Sequence, residues 1–441
     1  MTDEVDYRGG AAAAERLAGG AALPQALPVP GPRGWLALDV GARRYESYGS
    51  ADPGWERVAP LPADLSTLDD GRLALALCHR NGFVREAALE AARGRPALLP
   101  LVVIRCADWV EAVRERARRL LAGALTAGHA RDLAPLILLA ARGERGGFAV
   151  GLLSEALRGA DRDQWAAQLA APDRATRRFA HRLALAEGRL SPLQLASTAA
   201  RRAEDPVLQD LCATAALAAL PDGPGAYGGE FDEVVESLLS ARNPRCRAAG
   251  VTALRRAGRG DGAESFLADR SPLVRACARY VLKRTGADPA VRYREAVRTP
   301  DGLPGPPPGA VVGLAECGDP RDAALLWPLV AHPVPAVRAR AVEGLRLLDR
   351  VDRERLRPLL DDPAPAVVRE ATASLLSCAR DLPPGWLLDR VGPDRPRHVR
   401  LAALRLLAAG GGAQDLRAAL VLVADADPKL RAVVERAAGL R

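Results

Sequence analysis

The chain predicts an all-α fold, an α-solenoid of about twelve helix pairs behind an irregular N-terminal cap. Three observations lead there. An arginine-centred pattern recurs roughly every 31 residues, as in Arg338, Arg369, Arg400 and Arg431. The residues around it carry small and apolar side chains at helical spacing. Aromatic residues make up only 4% of a chain that is 49% hydrophobic, so its core must be built from Ala, Leu and Val, which suit close helix packing better than strands.

The repeat can be written as an apolar residue, an arginine, two variable residues, a small residue, three variable residues, and Leu or Ala. Its arginine slot is filled by Arg85, Arg114, Arg177, Arg247, Arg275, Arg338, Arg369, Arg400 and Arg431, with Gln209 in one further unit. Successive separations are 29, 63, 32, 38, 28, 63, 31, 31 and 31. Each 63 spans two periods, so a degenerate unit lies inside each. Leu157 and Leu314 align these two units and put Val150 and Pro307 in the slot. A period of this size in a long chain points to stacked supersecondary units.

At the start of the motif and four and eight residues further on stand triplets such as Val113, Ala117 and Leu121, or Val337, Ala341 and Leu345. Steps of four place them on one stripe of a helix, and the small middle residue admits a neighbouring helix closely. Six residues before the slot come Asp108, Asp269, Asp394 and Asp425, with His79 and His332 substituting twice. Proline follows in many units, including Pro206, Pro244, Pro272, Pro333, Pro363, Pro396 and Pro428. Asp or Asn with Pro ends one helix and starts a turn. Each unit is therefore a first helix, a tight turn, and a second helix with the arginine near its start.

Units such as the stretch from His332 to Leu345 (HPVPAVRARAVEGL) resemble the short bacterial HEAT repeats of the phycobilin-lyase-like type. The resemblance runs from about Leu65 to Arg441. It implies an armadillo-like α-solenoid in which the slot arginines and the turn aspartates pair as a ladder. It implies little about function, since such solenoids serve many tasks.

The domain reading has two parts. Residues 1–60 form a Gly/Ala/Pro-rich tail, expected to be mobile over 1–32, and an aromatic cap holding Trp35, Tyr45, Tyr48 and Trp55. Residues 61–441 form the solenoid, interrupted by Pro/Gly-rich loops at 221–229 and 300–309. A cap covers the open end of the first repeat, and its tryptophans are also candidates for docking a partner.

The net charge of +8 nominally points to an anionic partner. Nearly all of the positive charge is arginine, only Lys283 and Lys429 being lysine, as GC-rich coding would produce. The outward positions of the second helices are close to balance. Arg116, Arg119, Arg178, Arg182, Arg340, Arg405 and Arg436 stand against Glu86, Glu90, Glu115, Asp210, Glu343 and Glu370. That is seven against six, no continuous basic groove.

Seven scattered cysteines, none in a C-x-x-C pair, read as small hydrophobes in a reduced compartment. The acidic start and the lack of a long apolar run predict a cytoplasmic chain without a membrane span. No Walker loop, G-x-S-x-G or H-E-x-x-H occurs, and the five histidines are far apart, so neither a cofactor nor a metal is expected. The best catalytic candidate is Asp108 with Trp109 beside the arginines that follow. HEAT-like alkylpurine DNA glycosylases use an Asp with aromatic and Arg residues on such a surface. The sequence thus favours a non-enzymatic scaffold that binds a protein or peptide on its inner curved face. DNA binding or glycosylase-type chemistry is the alternative, and a chromophore-lyase role is a distant third. The candidate binding residues are Asp108, Trp109, Arg116, Arg119, Arg178, Arg182, Trp35 and Trp55.

Overall fold

The computed structural model describes residues 6–27, 31–43, 55–56, 59–201, 204–220, 228–298, 305–410, 412–423 and 427–437. Every regular element among them is helical, and the chain divides into two compact units, Met1–Leu190 and Ser191–Arg441. Tyr45, Tyr48, Asp425 and most of the two predicted loops lie outside the described residues.

The first unit opens with α1 (Tyr7–Ala18) and α2 (Pro32–Arg43), packed on each other. Four helix pairs follow. They are α3 (Asp70–Leu77) with α4 (Gly82–Ala91), α5 (Leu99–Arg105) with α6 (Glu111–Ala124), α7 (Ala127–Ala140) with α8 (Gly147–Arg158), and α9 (Arg162–Leu169) with α10 (Arg174–Ala186).

The second unit holds eight pairs. Their second helices are α12 (Pro206–Ala218), α14 (Pro244–Arg256), α15 (Pro272–Arg284), α17 (Pro308–Cys317), α18 (Pro335–Leu347), α19 (Pro365–Leu375), α20 (Arg397–Gly410) and α22 (Pro428–Ala437). Four first helices are regular, namely α11 (Pro192–Ala200), α13 (Glu230–Leu239), α16 (Pro289–Val297) and α21 (Ala413–Val423). The other four are short or 3₁₀ segments between Gly260 and Leu388, and in two of them Pro328 and Pro358 remove interior amide donors. Twelve helix pairs are thus present among the described residues, including both degenerate units, whose aligning residues Leu157 and Leu314 are buried.

The expected stripe is the core. Val113, Ala117 and Leu121 are buried, as are Val337, Ala341 and Leu345, and Val399, Ala403 and Leu407. Among the described residues two positions deviate. Val84 is half-buried, while Arg85 beside it is fully enclosed. Leu376, expected inside, is exposed because α19 ends at Leu375, which takes its place in the core.

Starts of second helices follow a common chemistry. Asp205, Asn243 and Asn81 accept a hydrogen bond from the amide two residues on, and Pro206 and Pro244 stand at the first helical position, where a missing N–H costs nothing.

The N-terminal tail is where the sequence expectation fails. Residues 7–18 are helical, capped by Asp6, with Ala13, Ala14 and Leu17 buried. The glycines there are packing residues. A Cβ on Gly10 would lie 1.8 Å from the Ala37 carbonyl oxygen, and one on Gly41 would lie 2.3 Å from the Ala11 nitrogen. Small residues let α1 and α2 meet backbone to backbone, which composition alone makes look like flexibility.

Candidate functional site

The arginine slot is a scaffold element. In α4, Arg85 Nη1 donates to the carbonyls of His79 and Arg80, six and five residues back, each at 2.8 Å. Its Nε and Nη2 form a fork onto Asp108 in the next turn, at 3.0 and 2.8 Å. Arg247 repeats this with Ala241, Arg242 and Asp269, and Arg338 with His332, Pro333 and Asp362. The arginine closes its own turn and grips the next one. A planar five-donor guanidinium suits both tasks at once.

Before the first degenerate unit Arg114 keeps the Asp108 carbonyl but makes no fork onto the next turn among the described residues, and before the second the fork changes partner. Arg275 keeps the carbonyl six residues back, that of Asp269, but takes Glu316 on α17, to which Arg279 also donates. Gln209 inverts the polarity, accepting from Asn243 at 3.0 Å while donating to the Arg201 carbonyl. In the last units the ladder lapses. Arg369 is exposed and pairs with Glu370, Asp394 is exposed beside Arg395, and Arg400 donates to the Val391 carbonyl.

The turn aspartates also accept from an amide two residues on, as Asp108 does from Val110 and Asp269 from Ser271. His79 and His332 do so through Nδ1, from the amides of Asn81 at 2.9 Å and Val334 at 3.1 Å. An unprotonated imidazole nitrogen can replace a carboxylate oxygen as the turn acceptor, which explains why His alternates with Asp there.

Asp108 belongs to this scaffold. Its Oδ1 accepts from Arg85 and Val110, and its Oδ2 from Arg85 and Arg105. Four donors saturate a buried carboxylate, leaving it nothing to offer a substrate. Arg105 continues the network to Asp39 on α2, which Arg43 also binds. Burial works against ionising Asp39, but the guanidiniums of Arg105 and Arg43 outweigh it and hold its carboxyl below the ordinary value. Asp39, Arg105 and Asp362 escaped the sequence reading. Asp362 stands seven residues before Arg369 where the pattern sought six.

The remaining candidates are dispersed. Trp109 is 56% exposed, with the guanidiniums of Arg43 and Arg85 at 4.8 and 4.4 Å from its ring centroid. Trp55, put forward as a docking residue, is fully buried: its Nε1 donates to the Ala42 carbonyl and its ring edge meets His79. Trp35 is half-buried against the core of the first unit. Arg178 is half-buried and Arg182 exposed on α10, whereas Arg116 and Arg119 lie on α6 and line a cleft that includes none of the other candidates.

That cleft, about 710 Å³, lies between the C-terminal halves of α4 and α6. Leu89, Leu120 and Ala124 give it apolar lining, and Arg93, Arg116, Arg119 and Glu90 its charges. Arg116 is held by Glu86 at 3.3 Å and Glu90 at 3.2 Å. Arg119 is exposed and makes no ion pair among the described residues.

Burial raises the thiols of Cys106 and Cys212 to about 12 and that of Cys246 to about 11, which suppresses thiolate chemistry. No group of three or more potential metal ligands occurs among the described residues. None of the described helices is long and apolar enough to cross a membrane.

No family model matches this chain, and no curated protein matches it. Among solved structures it is similar to Kap121p bound to Nup53p, with 13% identity over 83% of this chain and 47% of that one and a TM-score of 0.31. It is also similar to the karyopherin Kap121p bound to the extreme C-terminus of the protein phosphatase Cdc14p, at 13% identity, 80% and 47% coverage and a TM-score of 0.31. A further structure of Kap121p matches at 14% identity, 99% and 54% coverage and a TM-score of 0.28. The chain spans about half the length of these structures.

Proposed function

We propose that this protein is a non-enzymatic scaffold or adaptor that binds a protein or peptide partner on the face made by its second helices. The repeats are read as the short bacterial, phycobilin-lyase-like type of HEAT repeat.

One observation carries the functional reading. Several charges on that face are paired between neighbouring second helices, while Arg119, Arg182 and Arg405 are scattered exposed cations with no ion pair among the described residues. Arg116 on α6 pairs with Glu86 and Glu90 on α4, Arg245 with Asp210 on α12, and Arg346 with Glu370 on α19. A polyanion binds by exchanging counterions along a run of unpaired cations, and a mosaic of paired charges supplies few. Protein and peptide partners are matched by local complementarity instead.

The test is cross-linked affinity purification from the native host, comparing the intact chain with Glu90→Arg and Arg116→Glu variants. A defined partner recovered with the intact chain and lost with the variants supports the reading. Duplex DNA recovered in its place overturns it.

A further inference from the structure

We propose that the cleft between α4 and α6 binds an extended peptide segment that presents a carboxylate next to an apolar side chain. The proposal rests on the scaffold reading and names the chemistry of its partner.

Three features of the cleft converge. Its charge is uneven: three guanidiniums face one carboxylate, and Glu90 is already engaged by Arg93 and Arg116. Arg119 is therefore the cation left to meet an incoming carboxylate. Leu89, Leu120 and Ala124 beside it would cover an aliphatic side chain.

Gly123 gives the second feature. A Cβ there would meet nothing within 4 Å, so packing does not call for glycine, and its φ is not positive. A glycine in a helix costs stability relative to alanine. At this position it keeps the cleft open.

The third feature separates a peptide from a nucleic acid. The C-terminal turns of α4 and α6 line the cleft, which puts last-turn carbonyls and the negative ends of two helix dipoles near the site. A single carboxylate held by Arg119 withstands that field better than a row of phosphates, and the carbonyls favour backbone N–H donors. A peptide brings both, its amides to the carbonyls and one carboxylate to Arg119. A volume of about 710 Å³ holds a few residues of such a segment.

The test selects short randomised peptides against the full chain. The selected pool is then dye-labelled and titrated by fluorescence anisotropy near physiological salt. The pool should be rich in Asp or Glu adjacent to Leu, Ile, Val or Phe. Binding should weaken about tenfold or more in Arg119→Glu and in Gly123→Leu. It should be unchanged in Arg321→Glu, whose side chain is 95% exposed in the second unit. Both cleft positions are open to solvent, so circular dichroism should report an intact fold. A pool without acidic bias, or one whose binding ignores both cleft variants, overturns the cleft assignment while leaving the scaffold reading in place. Failure to select any binding peptide contradicts both.

Discussion

Arg85 and Asp108, 23 residues apart and both fully buried, meet through two parallel hydrogen bonds that tie the turn before one second helix to the turn before the next. The same fork joins Arg247 to Asp269 and Arg338 to Asp362. A solenoid has no long-range contacts to fix its register, so neighbour-to-neighbour terms carry its stability. These forks are specific terms of that kind, added to the apolar stripe.

The first expectation concerns their size. Arg85→Ala leaves Asp108 buried with one partner fewer, and breaking a buried pair from one side costs about 3–5 kcal/mol. Arg338→Ala, where the side chain retains slight exposure, should cost about 1–3 kcal/mol. Urea denaturation measures both. Arg85→Lys should recover little, because a point charge cannot reproduce the fork and the two carbonyl bonds together. Equal midpoints for the Ala and Lys variants and the parent would refute the ladder.

A second expectation is acid sensitivity. Burial alone would raise the carboxyls of Asp269 and Glu316. The hydrogen bonds from Arg247 and the Ser271 amide to the first, and from Arg275 and Arg279 to the second, reverse this and leave both depressed. A depressed folded pKa contributes stability that is present above the unfolded value and lost as pH falls through the folded one. The urea midpoint should therefore hold steady near neutrality and fall below about pH 4. Asp269→Asn should lower the midpoint at pH 7 and flatten its fall in acid. A midpoint independent of pH down to 2 would show that the pairs contribute nothing.

Thiol labelling gives a third. Cys78, Cys106, Cys212 and Cys246 are buried, and burial raises their thiols. They should react with a disulfide reagent at pH 8 no faster than the fold opens, while the half-buried Cys277, Cys317 and Cys378 react sooner. Seven thiols labelled in one fast phase would be incompatible with this packing.

The N-terminal helix pair supplies a fourth. Gly10→Leu places a side chain where the Ala37 carbonyl lies, so α1 cannot dock on α2. Limited proteolysis should then release the first twenty or so residues while the repeats stay resistant. Unchanged protection would mean that the helix is held by something other than this contact.

Much of the fold was legible because a repeat states its rule many times. The Val–Ala–Leu stripe and the arginine slot survive averaging over ten units, and the eroded helix at Val150 falls into register, whereas Pro307 caps α17 where the slot residue should stand inside it. What was hidden depends on single contacts. Asp362 sits one residue away from the aligned aspartates, yet its turn brings the carboxylate to the same fork. Asp39 lies outside the repeat, so no periodicity could reveal it. Gly10 and Gly41 look like linker residues until their helices meet. The binding candidates fared differently for a related reason. Asp108 was conspicuous because it is repeated, and repetition marked it as scaffold. The cleft beside Arg119 depends on an open Gly123 and on two helix ends, features that no motif records.

The central claim is that the slot arginines build the scaffold and do not bind an anionic partner. One paired measurement on Arg338→Ala tests it most directly: the urea midpoint, and the affinity for intact and alkylated duplex DNA near physiological salt. The account predicts a lower midpoint, with DNA binding weak, steeply salt-dependent, indifferent to the lesion and the same in both proteins. An unchanged midpoint combined with the loss of tight, lesion-dependent binding would contradict it.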